Sequence, residues 1–382
     1  MEISQTARTQ TKSFLGYVEG LRGACALYVT LTHAFWEVWY ARSPESLGPG
    51  ILGWLLQAFN YGHFAVGFFI VISGFCMFRK RGEEKFPVLA GGALSYAKRR
   101  VRRIVPPYYA ALALYLAIIY FTPSLQVPTG RRWDSALPAF DQGMVISHLT
   151  ILHLFSKRWL FGIDPPMWSI GIEWWCYWIA PLIVLPPWKK WGPWVAVPLA
   201  FAYSAALISG DVLESDACPW YLGLFVLGML AAQLESRKSK IPWIALSIVF
   251  AAGAVHLHQM DAYLAWADLF VGASAFSLLI GCATGESLIK AVLDTSVMRG
   301  LGRFSYSLYL CHWLILTLVH ELCVRMKFPV TQELCVTVGI GVPLSVGLSY
   351  IFYLLFEKPF LQLSSEEAAS RERTVESLVN VA

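Results

Sequence analysis

Residues 17–36 read Tyr17-Val-Glu-Gly-Leu-Arg-Gly-Ala-Cys-Ala-Leu-Tyr-Val-Thr-Leu-Thr-His-Ala-Phe-Trp36. This segment is long and apolar enough to cross a bilayer as a helix, and this indicates the fold class. It nevertheless carries Glu19, Arg22 and His33. An ionisable side chain in hydrocarbon costs several kcal/mol, so such residues usually face a protein interior or a watery cavity. Arg22 and His33 are separated by about three helical turns and a rise of ~16 Å. They are therefore predicted to lie on one helix face at two depths.

The composition is that of an integral membrane protein. Of the 382 residues, 57% are hydrophobic and 14% are charged, with a mean hydropathy of +0.54, whereas soluble chains carry about 25% charged residues. The net charge of +5 lies in short loops, so we expect no nucleic-acid partner. The first apolar segment is too long for a cleavable signal peptide. The eight Cys form no CxxC pair, and we expect neither disulfides nor a metal site.

Ten apolar segments are predicted to span the bilayer as helices. They fall at 16–38, 63–79, 104–122, 169–186, 192–209, 218–234, 241–257, 262–284, 304–324 and 333–356. The predicted fold class is therefore an all-α integral membrane protein with about ten transmembrane helices. It forms a single membrane domain over residues 1–382, with its core at 14–360 and a polar cytoplasmic tail at 361–382.

The distribution of Lys and Arg predicts the orientation. With the N-terminus inside, the inner loops and tails hold 22 of these residues and the outer loops hold 7, with Arg22 completing the 30. Because cytoplasmic loops carry an excess of Lys and Arg, both termini are predicted to be cytoplasmic. The predicted location is a cell membrane, inner or plasma, crossed several times.

A long outer loop is predicted at 123–168. It is too polar to span and too long to be a plain connector, and loops of this length are more often functional than structureless. Its middle, Val145–Phe155, is apolar enough for a short re-entrant or interfacial helix. Two interpretations stay open: a cover over a site that opens outward, and a packed lid with no chemical role.

His33 and Glu173 are the candidate catalytic residues. His33 lies in the outer third of the first segment, and Glu173 is predicted to lie about one turn below the outer end of the fourth. Two helices arriving from opposite directions would then place an imidazole and a carboxylate at the same depth. Such a pair is a general-base arrangement, since the carboxylate fixes the tautomer and favours the imidazolium. The alternative is a buried ion pair that only joins two helices.

Two further groups of residues could line a site. Arg100 and Arg103 share a helix face at i,i+3, and Arg forks bind phosphate bidentately, although positive charge here also anchors a helix to anionic lipid. In the ninth segment, Ser305, Tyr309 and His312 form one polar stripe. That stripe could line a substrate tunnel or hydrogen-bond between helices.

The chain resembles the acyltransferase-3 family of polytopic membrane acyltransferases over nearly its whole length. Six stretches in order carry the resemblance. They are Glu19-Gly-Leu-Arg-Gly23 with His33, Phe68-Phe-Ile-Val-Ile-Ser-Gly-Phe75, Arg100-Val-Arg-Arg-Ile-Val-Pro-Pro107, Trp168-Ser-Ile-Gly-Ile-Glu173, Leu301-Gly-Arg-Phe-Ser-Tyr-Ser-Leu-Tyr-Leu-Cys-His312 and Phe356-Glu-Lys-Pro359. The departures are small: Glu19 replaces the commoner Asp, and Cys311 stands where Trp is frequent.

The resemblance implies transfer of an acyl group, usually acetyl, from cytoplasmic acyl-CoA to a hydroxyl of a cell-surface or exported saccharide or glycolipid. Arg100 and Arg103 would hold the CoA phosphates, and Arg22 would receive the ligand further in. A pantetheine arm is roughly as long as the ~16 Å rise, so the thioester could reach His33. His33, oriented by Glu173, would then deprotonate the acceptor; an acyl-His intermediate is the variant.

Two alternatives stay open. One is acylation of a small lipophilic product such as a macrolide, which some similar proteins perform. The other is a solute transporter, since ten helices with intramembrane ions also suit a carrier. The sequence shows neither a visible repeat nor paired helices broken by Gly or Pro, and the lack of both counts against the transporter.

Overall fold

The computed structural model describes residues 16–39, 57–79, 89, 91–128, 137, 141–209, 215–237, 239–260, 264–285 and 287–363. Over these residues the regular structure is helical, and none of them lies in a strand. The helices are α1 Gly16–Trp39, α2 Gly62–Phe78, α3 Gly92–Phe121, α4 Gln142–Leu149, α5 Lys157–Leu160, α6 Met167–Trp191, α7 Pro193–Ser209, α8 Tyr221–Leu234, α9 Trp243–Gln259, α10 Leu264–Thr284, α11 Leu288–Leu293, α12 Ser296–Arg303, α13 Ser305–Arg325 and α14 Val330–Leu363.

Each of the ten predicted segments coincides with one helix: α1, α2, α3, α6, α7, α8, α9, α10, α13 or α14. The prediction of an all-helical chain is confirmed. Among the described helices, α3, α6, α10, α13 and α14 are long and apolar enough to cross a membrane, and α2, α7, α8 and α9 are apolar but shorter. A ten-span topology with both termini cytoplasmic stays a prediction. The predicted tail lies almost wholly outside the described residues.

Three helices surround the centre of the molecule. α1 packs against α2, α12 and α13, and α2 also packs against α8 and α10. α13 is the most enclosed of the five long spans, with its Ser, Tyr and His side chains buried along with its apolar ones. Helices α9 and α10 pair at one side, where α9 buries few side chains. Arg22 and His33 of α1 are partly enclosed by these neighbouring helices.

Two glycines let α2 and α8 touch backbone to backbone. A Cβ atom at Gly74 would lie 1.9 Å from the carbonyl oxygen of Phe225, and one at Gly228 would lie 1.9 Å from that of Val71. No side chain fits in either gap. Small residues at a helix crossing allow this close approach, which is a common way to join helices in a membrane. The contact fixes the position of α2 in the domain.

The second half of the predicted outer loop is folded into the domain. It contains α4, α5 and a short turn at His153–Phe155, so a helix does occur inside the apolar stretch 145–155. His148, His153 and Asp164 are fully buried. The basic and acidic residues at 131, 132 and 134 lie outside the described residues. As a result α6 begins on a buried residue, Met167, and not at an exposed surface.

Candidate active site

A cleft runs between α1, α2, α6 and α13. Its polar lining comes from all four helices. The residues are Arg22, Ser73, Ser169, Glu173, Ser305 and Tyr309, with Val66, Phe69, Ile70, Ile170 and Tyr306 as the remaining wall. Four of the predicted site residues therefore line one cavity: Arg22, Glu173, Ser305 and Tyr309. His312 does not line it but contacts the ring of Tyr309. Phe69 packs edge-on against Tyr309 in the same wall.

Glu173 is the centre of the hydrogen bonding in this cleft. Its Oε1 accepts from Ser73 Oγ on α2 at 2.5 Å and from Tyr177 OH one turn along α6 at 2.5 Å. Arg22 and Arg103 lie within electrostatic range of the carboxylate. Glu173 therefore joins α2 to α6 beside two arginines.

The expected equal depth of Glu173 and His33 is wrong. Gly62 packs on Thr32, the neighbour of His33, because a Cβ atom there would lie 2.6 Å from Thr32 Cγ2. Ser73 is eleven residues further along α2, a rise of ~16 Å, and Ser73 is bonded to Glu173. Glu173 therefore lies at the depth of Arg22. Within the described residues, His33 is not a hydrogen-bond partner of Glu173.

The physical reason for this error is the folded segment before α6. Counting inward from an exposed helix start places Glu173 near the surface. In the structure Met167 is already buried, and Asp164 and Ile163 before it are buried too. The hydrophobic pattern of α6 carries no information about how deep its first residue lies. The depth of Met167 follows only from the buried residues just before it, such as Ile163 and Asp164.

Three arginines collect at the Glu173 end of the cleft. Arg22 and Arg103 lie close enough to repel each other, and no described carboxylate is within ion-pair distance of either. In particular, Glu19 does not pair with Arg22. The Cζ atom of Arg100 lies 5.3 Å from the ring centroid of Tyr177, and its Nε is buried without a hydrogen-bond partner among the described residues. This is an anion-binding arrangement.

Glu357 is a buried carboxylate to which we assigned no role from the sequence. It is 2% exposed and accepts hydrogen bonds from the backbone N–H and the Oγ of Ser307, at 3.2 Å and 2.5 Å. It also lies within electrostatic range of Arg103 and Arg22. It ends a π-helical turn, a local widening frequent at functional sites. Glu357 lies in Phe356-Glu-Lys-Pro359, one of the six stretches that resemble the family, and this membership could have pointed to it.

His33 lies at the other end of α1, against α13. Its ring centroid is 4.7 Å from that of Trp313 in an edge contact and 5.2 Å from that of His312. His312 is fully buried, and its Nδ1 faces the carbonyl oxygen of Leu308 at 3.1 Å. Its Nε2 is buried without a hydrogen-bond partner among the described residues. A second imidazole beside His33 was part of the predicted stripe, but we did not predict the contact.

Tyr309 connects the two ends of the site. Its hydroxyl is 2.7 Å from Ser169 Oγ and also donates to the carbonyl oxygen of Pro166 at 3.3 Å. Its ring centroid is 5.6 Å from that of His312, which contacts His33. Ser305 Oγ, one turn earlier on α13, is buried with no hydrogen-bond partner among the described residues. A chain of contacts therefore runs from Ser169 through Tyr309 and His312 to His33.

Together these features define a multi-helix membrane protein with an ionisable site enclosed among its helices. A family model described as an acyltransferase domain matches residues 15–354. The chain therefore belongs to the acyltransferase-3 family, and it is an enzyme that transfers acyl groups other than aminoacyl groups. The match covers every helix that lines the cleft.

Two kinds of relative support this assignment. Acyltransferase MdmB of Streptomyces mycarofaciens is 25% identical over 328 residues, which cover 79% of this chain and 79% of that protein. O-acetyltransferase OatA of Staphylococcus aureus is 23% identical over 330 residues, which cover 79% of this chain but 53% of OatA. No solved structure matches this chain.

Proposed function

We propose that this protein is a membrane O-acyltransferase, and more narrowly an O-acetyltransferase, that uses acyl-CoA. The proposed acceptor is a hydroxyl of a cell-surface or exported saccharide or glycolipid. The observation that carries the proposal is the group of Arg22, Arg100 and Arg103 at one end of the cleft. At the other end Tyr309 lines the cleft and contacts His312, which contacts His33. The phosphates of CoA supply the anionic charge that these arginines lack.

The donor would lie along the cleft. Arg100 and Arg103 bind its phosphates, and Arg22 and Glu173 line the passage of the pantetheine arm. From the level of Arg22 to that of His33 the rise is ~16 Å, so an arm of this length presents the thioester carbonyl to His33. Glu173 then acts within the donor passage, where it fixes Ser73 and Tyr177 and balances the arginines.

His33 would act as the general base. Its imidazole takes the proton of the acceptor hydroxyl while the oxygen attacks the thioester carbonyl. The tetrahedral intermediate collapses to the ester, the C–S bond breaks, and the imidazolium returns the proton to the CoA thiolate. Atoms and charge balance without another reactant. In the variant with an acyl-His intermediate, the same nitrogen attacks first and the acceptor attacks second.

The topology is part of this proposal. Ten spans with both termini cytoplasmic would place the arginines near the cytoplasmic pool of acyl-CoA, and His33 near the outer face. OatA is named as an O-acetyltransferase, which favours acetyl among the acyl groups. Acylation of a small lipophilic product such as a macrolide is the alternative acceptor class. A transporter is disfavoured, since the chain belongs to an acyltransferase family.

The test uses purified protein in liposomes with radiolabelled acetyl-CoA. Saccharide acceptors and a hydrophobic alcohol are supplied separately, and release of free CoA thiol is followed in parallel. We expect label to move to a saccharide with one thiol released per ester formed, and none with His33→Ala. Label that moves only to the hydrophobic alcohol would select the alternative acceptor, and transport of an intact solute without thiol release would overturn the proposal.

A further inference from the structure

A second cluster of ionisable side chains lies outside the cleft, where three distant parts of the chain meet. His63 is at the start of α2, Cys218 precedes α8, and Asp268 is in the first half of α10. The Nε2, Sγ and carboxylate oxygen of these residues all lie within 4.8 Å of one another. Cys218 is 1% exposed and Asp268 is fully buried. The proposed acyl transfer uses none of the three.

The hydrogen bonds in this cluster do not balance. His63 Nε2 is 2.9 Å from Asp268 Oδ2 and 3.0 Å from Tyr221 OH. One ring nitrogen either donates or accepts. If it donates to the carboxylate, the Tyr221 proton has no acceptor among the described residues. If it accepts from Tyr221, two lone pairs face each other across 2.9 Å.

Asp268 provides an independent sign of a missing partner. Its Oδ1 is buried with no hydrogen bond to any described residue. Its Oδ2 accepts from Trp220 Nε1 at 2.8 Å. A buried carboxylate oxygen without a partner is costly, whereas a hydrogen bond to the other oxygen is how outer residues orient a carboxylate that ligates a metal.

We propose that His63, Cys218 and Asp268 bind a zinc ion. Zinc takes imidazole nitrogen, thiolate sulfur and carboxylate oxygen in tetrahedral geometry, with bonds of about 2.0 to 2.3 Å. Such bonds place donor atoms roughly 3 to 4 Å apart, so the observed cluster closes onto the ion with small side-chain shifts. Zinc satisfies His63 Nε2 and the free oxygen of Asp268 together, and Tyr221 OH faces the fourth position.

The ion would join α2, α10 and the segment before α8. The ring of Trp168 stacks on His63 with centroids 5.7 Å apart and planes inclined by 9°. Trp168 is next to Ser169, which lines the cleft. The zinc site therefore supports one wall of the cleft from outside. Binding releases the Cys218 thiol proton to solvent and involves no redox change.

Sequence spacing could not reveal this site. Zinc sites are recognised in sequences from pairs of ligands two to five residues apart. Here each ligand comes from a different part of the chain, and Cys218 resembles the other seven cysteines in lying among apolar residues. Our expectation of no metal site rested on the absence of a CxxC pair and on the apolar surroundings of most cysteines.

The test measures metal in the purified full-length protein. After incubation with zinc and removal of the excess, we expect about one ion per chain in the wild type and in Cys323→Ala, a matched buried cysteine elsewhere. Cys218→Ser and His63→Ala should each lose most of it. Cobalt in place of zinc should give a thiolate-to-cobalt absorption band that Cys218→Ser abolishes.

Thermal unfolding in detergent provides the second readout. A strong chelator should lower the Tm of the wild type and leave the Tm of Cys218→Ser unchanged. Zinc retained in full by Cys218→Ser would overturn the assignment. So would a wild-type protein that takes up no zinc, which would identify a hydrogen-bonded His63–Asp268 pair only. Both outcomes are independent of acyl transfer, so they do not depend on the proposed function.

Discussion

Ser73 donates a hydrogen bond of 2.5 Å to Glu173, and this bond joins α2 to α6 at the depth of Arg22. It ties together two stretches that resemble the family, one around Ser73 and one ending at Glu173. Because α2 is held against α8 by glycines, the bond holds the carboxylate at a set distance from the arginines. In the proposed function, Glu173 lines the passage of the donor.

Replacing Glu173 with Gln should lower kcat by about 100-fold or more, because the amide keeps the size of the side chain but removes the carboxylate beside Arg22 and Arg103. Ser73→Ala removes one hydrogen bond and should cost about tenfold, since a bond to a charged group contributes about 1.5–3 kcal/mol. Acetyl transfer to the acceptor measures both. Wild-type turnover in Glu173→Gln would contradict the assignment.

His33→Gln should lower kcat by about 10²- to 10⁴-fold, the usual contribution of a general base. The KM for acetyl-CoA should change little, because the phosphates bind at the other end of the cleft. His312→Gln is the matched control: it keeps a polar side chain beside His33 and should cost less. Steady-state measurements of kcat and KM for the two variants test this prediction. Equal losses would show that the imidazole pair acts as a unit.

The arginines should affect binding of the donor more than the chemical step. Arg103→Gln and Arg100→Gln should each raise the KM for acetyl-CoA by about tenfold, since each loses a charged bond to phosphate. Arg99→Gln is the control, because Arg99 donates to Ser95 Oγ at 2.6 Å on the same helix. A similar rise in KM for Arg99→Gln would indicate a general surface charge effect instead of a site.

The contact between α2 and α8 should not tolerate side chains. Gly228→Leu requires the two backbones to separate, so we expect a large loss of folded protein in detergent. Gly347→Leu is the control, because no atom lies within 4 Å of a Cβ atom at Gly347. Size-exclusion profiles and Tm measure the difference. A monodisperse, stable Gly228→Leu would show that the helices can part without loss of the fold.

The segment before α6 should make the protein acid-sensitive. Burial is the main cause that lowers the pKa of His153 from 6.5 to about 3, and a smaller part of this shift comes from His148, whose ring stacks on His153 with centroids 4.4 Å apart. The folded protein keeps His153 neutral while the unfolded chain takes up a proton. Stability therefore falls as the pH drops below 6.5, by about 1 kcal/mol for each pH unit.

Two groups near His153 affect the same measurement. Burial also lowers the pKa of His148 and raises that of Asp164 well above its usual range, so protonated Asp164 opposes the loss at low pH. Tm in detergent from pH 8 to pH 5 tests the prediction. His153→Phe should flatten the profile. An unchanged slope in that variant would assign the acid sensitivity to other groups.

The helices could be predicted from hydrophobic runs, and the site only in part. Ser305 and Tyr309 line one cleft, as their i,i+4 spacing on a single helix face suggested. That Arg22 and Glu173 line the same cleft was not predicted. The relative depth of two helices is set by the chain between them. His148, His153 and Asp164 are buried in the segment before α6, and no periodicity in α6 indicates this. For this reason the expected pairing of His33 with Glu173 was wrong.

The partners of these residues were even harder to predict from the sequence. Ser73 and Glu357 are single polar residues in apolar helices, and such residues most often bond within their own helix. Their role depends on which helix lies opposite. The meeting of His63, Cys218 and Asp268 likewise depends on the packing of α2, α8 and α10. A single sequence predicts which residues share a helix face, but not which helix packs against that face.

In the proposed function, the separation of ~16 Å between the levels of Arg22 and His33 selects for the length of the carrier of the acyl group. A thioester built on a short thiol reaches His33 only by giving up the arginines, so it loses the anchoring that aligns its carbonyl. The acyl group itself lies beyond the measured length. The enzyme should therefore be strict about the carrier and more tolerant about the group it carries.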